Sequence, residues 1–66
     1  STPDELRLWL DANTKAIAGM ARIALSAGDF ENAQEILAMA PPEKANDPDI
    51  ASARFAEARL ARAVGR

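Results

Sequence analysis

The side chains of this sequence with the plainest potential for chemistry are its ten carboxylates: Asp4, Glu5, Asp11, Asp29, Glu31, Glu35, Glu43, Asp47, Asp49 and Glu57. Two carboxylates brought together can act as general acid and general base. The alternative for these ten is structural. Asp29 and Asp47 stand where helices restart, as caps, and most of the others fall on solvated helix faces. Catalysis also needs a concave, dry pocket, which a few short helices hardly enclose, so the chain is expected not to be an enzyme. His and Cys are both absent, which rules out disulfides and thiolate or imidazole metal sites. The acids are scattered and do not match the spacing of a calcium loop. No metal and no cofactor is expected.

At 66 residues the chain is one small domain, and its start at Ser1 without Met points to a piece of a longer protein. A domain of this size buries only about 60% of the surface its unfolded chain exposes, so it is marginal alone. The net charge of −2 carries no bulk basic signal for nucleic acid. No apolar run approaches the ~18 residues of a membrane span. Neither nucleic acid nor membrane is expected as a partner. The absence of Cys fits a reducing compartment, and the expected location is cytoplasmic.

The elements that would position any site read as four short helices. In the first, Thr2 caps, Pro3 takes the first helical position and Glu5 completes a capping box. Leu6, Trp9 and Leu10 share a face, and "DANT" (Asp11 to Thr14) offers turn residues that end it. The second helix runs from about Lys15 to Ala27. Its one polar stripe is Lys15, Gly19, Arg22 and Ser26, and everything else is apolar. A helix with so narrow a wet stripe is normally covered on two sides, so it is expected at the centre of the array. Gly28 ends it in the left-handed conformation, and Asp29 restarts the chain as a cap. The third helix runs from Phe30 to about Met39, with Phe30, Ala33, Ile36, Leu37 and Ala40 on one face, until Pro41 and Pro42 stop it. Asp47 and Pro48 open the fourth, which runs to about Val64 on a stripe of Ile50, Ala53, Ala56, Leu60 and Val64. Alanines at 21, 24, 33, 53 and 56 let these helices approach closely.

The pair of helices around Gly28 resembles a tetratricopeptide repeat, a ~34-residue helix-turn-helix with large–small spacing and a corner glycine. With Gly28 at the corner, Ile17 falls on the first large position, Met20 on the leucine and Ala21 on the small residue. Phe30 takes the aromatic after the corner, Ala33 the small residue of the second helix, Leu37 the large one and Ala40 the next alanine. The motif's tryptophan is replaced by Ile17 and its closing proline by Ala45. Over residues 16–61, "AIAGMARIALSAGDFENAQEILAMAPPEKANDPDIASARFAEARLA" is similar to the C-terminal helical region of thioredoxin-like co-chaperones, the chaperedoxins. There an "ALAGLARxxLxxGDxExAxxxL" hairpin is followed by a proline, an "ADP"-like cap and an alanine-rich helix. The resemblance implies a helical domain that binds unfolded clients and chaperones. Redox activity does not carry over, since no Cys-x-x-Cys occurs.

The expected fold is therefore all-α, a tetratricopeptide-like helix-turn-helix array of about four short helices. A hairpin over about 15–40 is joined by a C-terminal packing helix over about 48–64. The expected function is non-catalytic protein–protein interaction, with an unfolded client, a chaperone or a second copy as partner. The alternative is a structural self-association module, a homodimer. Six residues are candidates for partner binding: Trp9, Arg22, Gln34, Phe55, Arg59 and Arg62. Trp9 is the sole tryptophan and belongs to a residue type enriched at interface hot spots, but its face shared with Leu6 and Leu10 predicts core. Arg22 and Gln34 would frame an apolar groove between helices. Phe55 falls between Arg59 and Arg62, off the apolar stripe. Glu57 is a charge near the centre of that stripe, which either pairs with a basic residue such as Arg54 or Arg22 or marks where the stripe opens to solvent.

Overall fold

The computed structural model describes residues 2–65. Among them are three α-helices, α1 (Pro3–Ser26), α2 (Phe30–Leu37) and α3 (Pro48–Ala63), with a short 3-10 turn over Pro42–Lys44. The array is all-α as expected, but the first two expected helices are one. The amide N–H of Glu5 donates to the Thr2 Oγ1 at 3.2 Å, which starts α1. The helix then passes straight through "DANT". Asn13 Nδ2 donates to the carbonyl of Trp9 at 3.0 Å, and the Thr14 hydroxyl donates to that of Leu10 at 2.7 Å. Side chains that would otherwise bend the chain into a turn are thus spent on the helix's own carbonyls, four residues back. Neither Gly nor Pro lies in this stretch to break the ladder.

The corner at Gly28 forms as its residues predict. Gly28 has φ +77°. Its N–H donates to Leu25 O at 3.0 Å, and the Asp29 N–H donates to Ala24 O at 2.9 Å. Those are the two crossed bonds of a Schellman ending, and glycine enters its left-handed position without penalty. The Asp29 carboxylate accepts from Asn32 N at 3.2 Å and opens α2. α2 stops at Leu37, two residues short of Met39, and Ala38–Ala40 tighten into a turn before Pro41 takes an extended conformation. Asp47 accepts from the N–H groups of Asp49 and Ile50 and starts α3.

α1 packs on both other helices, which also touch each other. One cluster joins Ile17, Ala18 and Ala21 of α1 to Leu37 of α2 and to Ile50 and Ala53 of α3. A second joins Ala24, Leu25 and Ala33, with Ala56 and Leu60 packed on it and Ile36 spanning both clusters. Ala21, Ala33 and Ala53 have no exposed surface at all. Each puts only a methyl between the helices, which lets the backbones approach closely there. Thr14 is buried with them, and its bond to Leu10 satisfies its hydroxyl.

The expected two-sided cover of α1 is only half supplied. Met20 and Ile23 stay open, as do Leu6 and Trp9 on the first turns, where every residue up to Trp9 is exposed. Trp9, expected in the core, is 61% exposed, because the first turns of α1 run past the helices that would cover them. Only Leu10 of that group is partly covered. Val64 lies beyond the end of α3 and is exposed as well.

The 3-10 turn is tied back to α1 by an ion pair between Lys44 and Asp11. That contact holds the Asp11 carboxyl below its ordinary value, chiefly through the Lys44 hydrogen bond; burial opposes the shift, and the charges of Lys44, Arg7 and Lys15 add to it. A carboxyl whose folded-state pKa is lowered stabilises the fold above its unfolded pKa and loses that contribution as pH falls through the folded one. Asp11→Asn should therefore melt below the parent at pH 7, with the gap closing towards about pH 3. Thermal melts followed by circular dichroism across pH check this; a gap that stays constant in acid would detach the contact from ionisation.

A candidate protein-binding groove

α1 and α3 run in the same direction. Lys15 Nζ meets Asp49 Oδ2 at 3.4 Å, and one to two turns further on Arg22 Nη1 meets Ser52 Oγ at 3.3 Å. Past this second contact the two helices frame an open hollow of about 360 Å³. Its floor is apolar: Leu25 from α1, Ala56, Leu60 and Ala63 from α3. Two guanidinium groups, Arg22 and Arg59, stand at its edges, and Ser26 adds a hydroxyl. A second, smaller hollow lined by Lys15, Ala18, Gly19, Arg22 and Asp49 continues the groove towards the start of α3. Arg22 belongs to both hollows.

Each wall follows from a local rule. The polar stripe Lys15–Gly19–Arg22–Ser26 borders the groove because the core takes the neighbouring stripe, Thr14, Ile17, Ala18, Ala21, Ala24 and Leu25, at helical spacing. On α3, Ile50 and Ala53 point into the core, which turns Ala56, Arg59, Leu60 and Ala63 towards the end of α1. Glu57, the charge near the apolar stripe, is largely covered and accepts from Arg54 Nη1 at 3.2 Å. Arg54 is thus its partner, and Arg22 is left to Ser52 and the groove.

The structure brings together two of the six candidate residues, Arg22 and Arg59. Phe55 is 63% exposed and stands in one row with Arg59 and Arg62, at i, i+4 and i+7 on α3, outside the hollow's lining. Gln34 sits on the exposed side of α2 and does not line the groove, because Ala33 and Leu37 turn the opposite side of that helix inwards. Trp9 lies at the far end of α1, in a notch with Thr2, Pro3, Glu5 and Leu6. The groove residues that sequence reasoning did not single out are Leu25, Ser26, Ala56, Leu60 and Ala63. They carry no signal of their own: they are small or apolar helix residues, and only the parallel placement of α1 and α3 makes them a surface.

Arginine over an apolar floor is suited to a polypeptide ligand. The guanidinium fork binds carboxylates bidentately and stacks on flat groups, while the floor takes apolar side chains. Among the described residues no group of acidic, His or Cys side chains is placed to hold a metal ion. No helix there is long and apolar enough to cross a membrane.

The order helix, Gly corner, antiparallel helix, then a further helix beside the first is that of a helical repeat and the start of its successor. A family profile described as tetratricopeptide repeat matches residues 5–55. The chain belongs to the tetratricopeptide repeat family. Its α1 and α2 form the hairpin of one repeat, and α3 stands beside α1. Repeats of this family are protein-interaction modules, so binding to other proteins is the general role of the chain. Comparison with curated proteins and with solved structures finds no match.

Proposed function

We propose that the chain is a non-catalytic binding domain that holds unfolded clients or a chaperone partner, as the helical part of a thioredoxin-like co-chaperone in the cytoplasm. The observation that carries this reading is the open groove between α1 and α3, with Arg22 and Arg59 over a floor of Leu25, Ala56 and Leu60. Such a surface accepts an extended segment that offers an acidic group and an apolar side chain, without demanding one sequence. That is the tolerance a binder of unfolded chains needs. Phe55 and Arg62 extend the same wall along α3 and would contact a longer segment. The "GDFENAQEIL" hairpin followed by two prolines and "NDPDI" supports the narrower assignment to the chaperedoxin type.

The test uses a permanently unfolded acidic protein, reduced and carboxymethylated α-lactalbumin, fluorescently labelled and titrated with this chain. The double substitution Arg22→Glu with Arg59→Glu should weaken binding about ten-fold or more, since each arginine gives up a charge-assisted contact. Helicity and thermal midpoint should stay near those of the parent, because both side chains are exposed. Unchanged affinity in a folded double variant would remove the groove from the account.

A further inference from the structure

α1 has three faces. One is the core, one borders the groove, and the third is apolar and exposed except at the half-buried Asn13. The third is made of Leu6, Trp9, Asn13, Ala16, Met20, Ile23 and Ala27, in strict alternation of three and four residues. That is the heptad spacing of a helix seam meant for another helix. Leu6 is 58%, Trp9 61%, Met20 46% and Ile23 72% exposed, so the large side chains of the seam are those the fold leaves uncovered. Singly exposed apolar residues are ordinary; a contiguous row along a whole helix is not.

We propose that this face of α1 pairs antiparallel with the same face of a second copy of the chain. The register is self-complementary. When Leu6 of one copy meets Ile23 of the other, the same two-fold axis brings Trp9 to Met20 and Asn13 to Ala16. Every large residue then faces a large one, and the polar Asn13, whose amide already donates to the Trp9 carbonyl, faces a methyl. The surface relief fits as well. Met20 and Ile23 line a shallow, mainly apolar hollow with Ala24, Ala27 and Ile36, edged by Asp29 and Asn32, at the end of the seam that receives Leu6 and Trp9.

The helix dipoles and the two-fold register set the direction. An antiparallel pair opposes the two α1 dipoles, whereas a parallel pair aligns them. Lys15, Arg22 and Asp11 stand off the seam, held by Asp49, Ser52 and Lys44 of the same copy, and leave it to its apolar residues. The contact is a closed two-fold one, so it ends at a dimer. It leaves the groove between α1 and α3 on a separate face of α1, and does not depend on what that groove binds.

The test is sedimentation equilibrium across micromolar to millimolar chain, beside Trp9 emission over the same range, for the parent and Ile23→Lys. Ile23 is exposed in the single copy, so the variant is expected to fold. The parent should form a dimer, with Trp9 emission shifting to the blue as it does, and Ile23→Lys should weaken association at least ten-fold with helicity unchanged. Direction is read by disulfide capture, which has no background because the chain lacks cysteine. A mixture of Leu6→Cys and Ile23→Cys chains should cross-link on mild oxidation, while Leu6→Cys alone should not. A parent monomeric at every concentration would overturn the proposal and assign the seam to a different protein segment. So would a dimer indifferent to Ile23→Lys, as one built on Phe55 would be, or efficient cross-linking of Leu6→Cys alone, which means a parallel pair.

Discussion

Leu37→Ala should leave the chain largely unfolded near 37 °C. Leu37 is the largest apolar side chain buried to within 2% of its surface, and it stands where all three helices meet, against Ile17, Ala18, Ala21, Ile50 and Ala53. Truncating a buried leucine removes its transfer free energy and leaves a cavity, together about 2–5 kcal/mol. A chain of 66 residues has roughly 3–10 kcal/mol in total, at about 0.05–0.15 kcal/mol per residue. At the middle of both ranges one substitution therefore takes about half of the stability. Three of these five neighbours are alanines, which cannot extend to refill the space. Urea denaturation followed by circular dichroism measures the effect, with Leu8→Ala as the control. Leu8 is 69% exposed, and its truncation should cost no more than about 0.5 kcal/mol. Similar losses from both variants would mean that the three-helix core is not where the stability lies.

Ala21→Leu should be nearly as damaging for the opposite reason. Ala21 has no exposed surface and faces α2 and α3 at once. Extra methylenes in a packed site force side chains off their rotamers and move backbones, at about 1–3 kcal/mol. Here the neighbours include Leu37 and the methyl of Ala53, and the helices would have to separate to admit the larger side chain. The expected loss is at the upper end of that range, read from the urea midpoint, while Ala58→Leu on the exposed side of α3 should be close to neutral. A well-folded Ala21→Leu of parental stability would show that α1, α2 and α3 are not packed at alanine distance.

Much of the fold was legible in the sequence because its punctuation is local chemistry. Gly28, Asp29, Pro41–Pro42 and Asp47–Pro48 each act on the one or two residues beside them, and each does in the structure what its type predicts. "DANT" misled for a related reason. Asn13 and Thr14 can serve a turn or bond back to their own helix, and in the fold both bond back, with Thr14 fully buried. Trp9 shows the limit of periodicity. Its spacing with Leu6 and Leu10 says that these residues share a side, but not that a neighbouring helix reaches far enough to cover it.

The site was less legible than the fold. Arg22 and Arg59 are far apart in the chain, and nothing in either helix alone pairs them; the parallel run of α1 and α3 does. Gln34 looked equivalent to Arg22 as a framing polar residue, yet α2 presents it on a different side. The composition of α1 did carry one piece of the answer. A single narrow polar stripe announced two apolar faces, and the fold covers only one of them.

The most direct test of the central claim, that the groove between α1 and α3 is a protein-binding surface, is a backbone amide map by NMR. The ¹⁵N-labelled chain would be titrated with reduced carboxymethylated α-lactalbumin. The account predicts that the largest perturbations fall on Arg22, Leu25, Ser26, Ala56, Arg59 and Ala63, with α2 little changed. Binding that leaves these amides unmoved and perturbs α2 instead would contradict it.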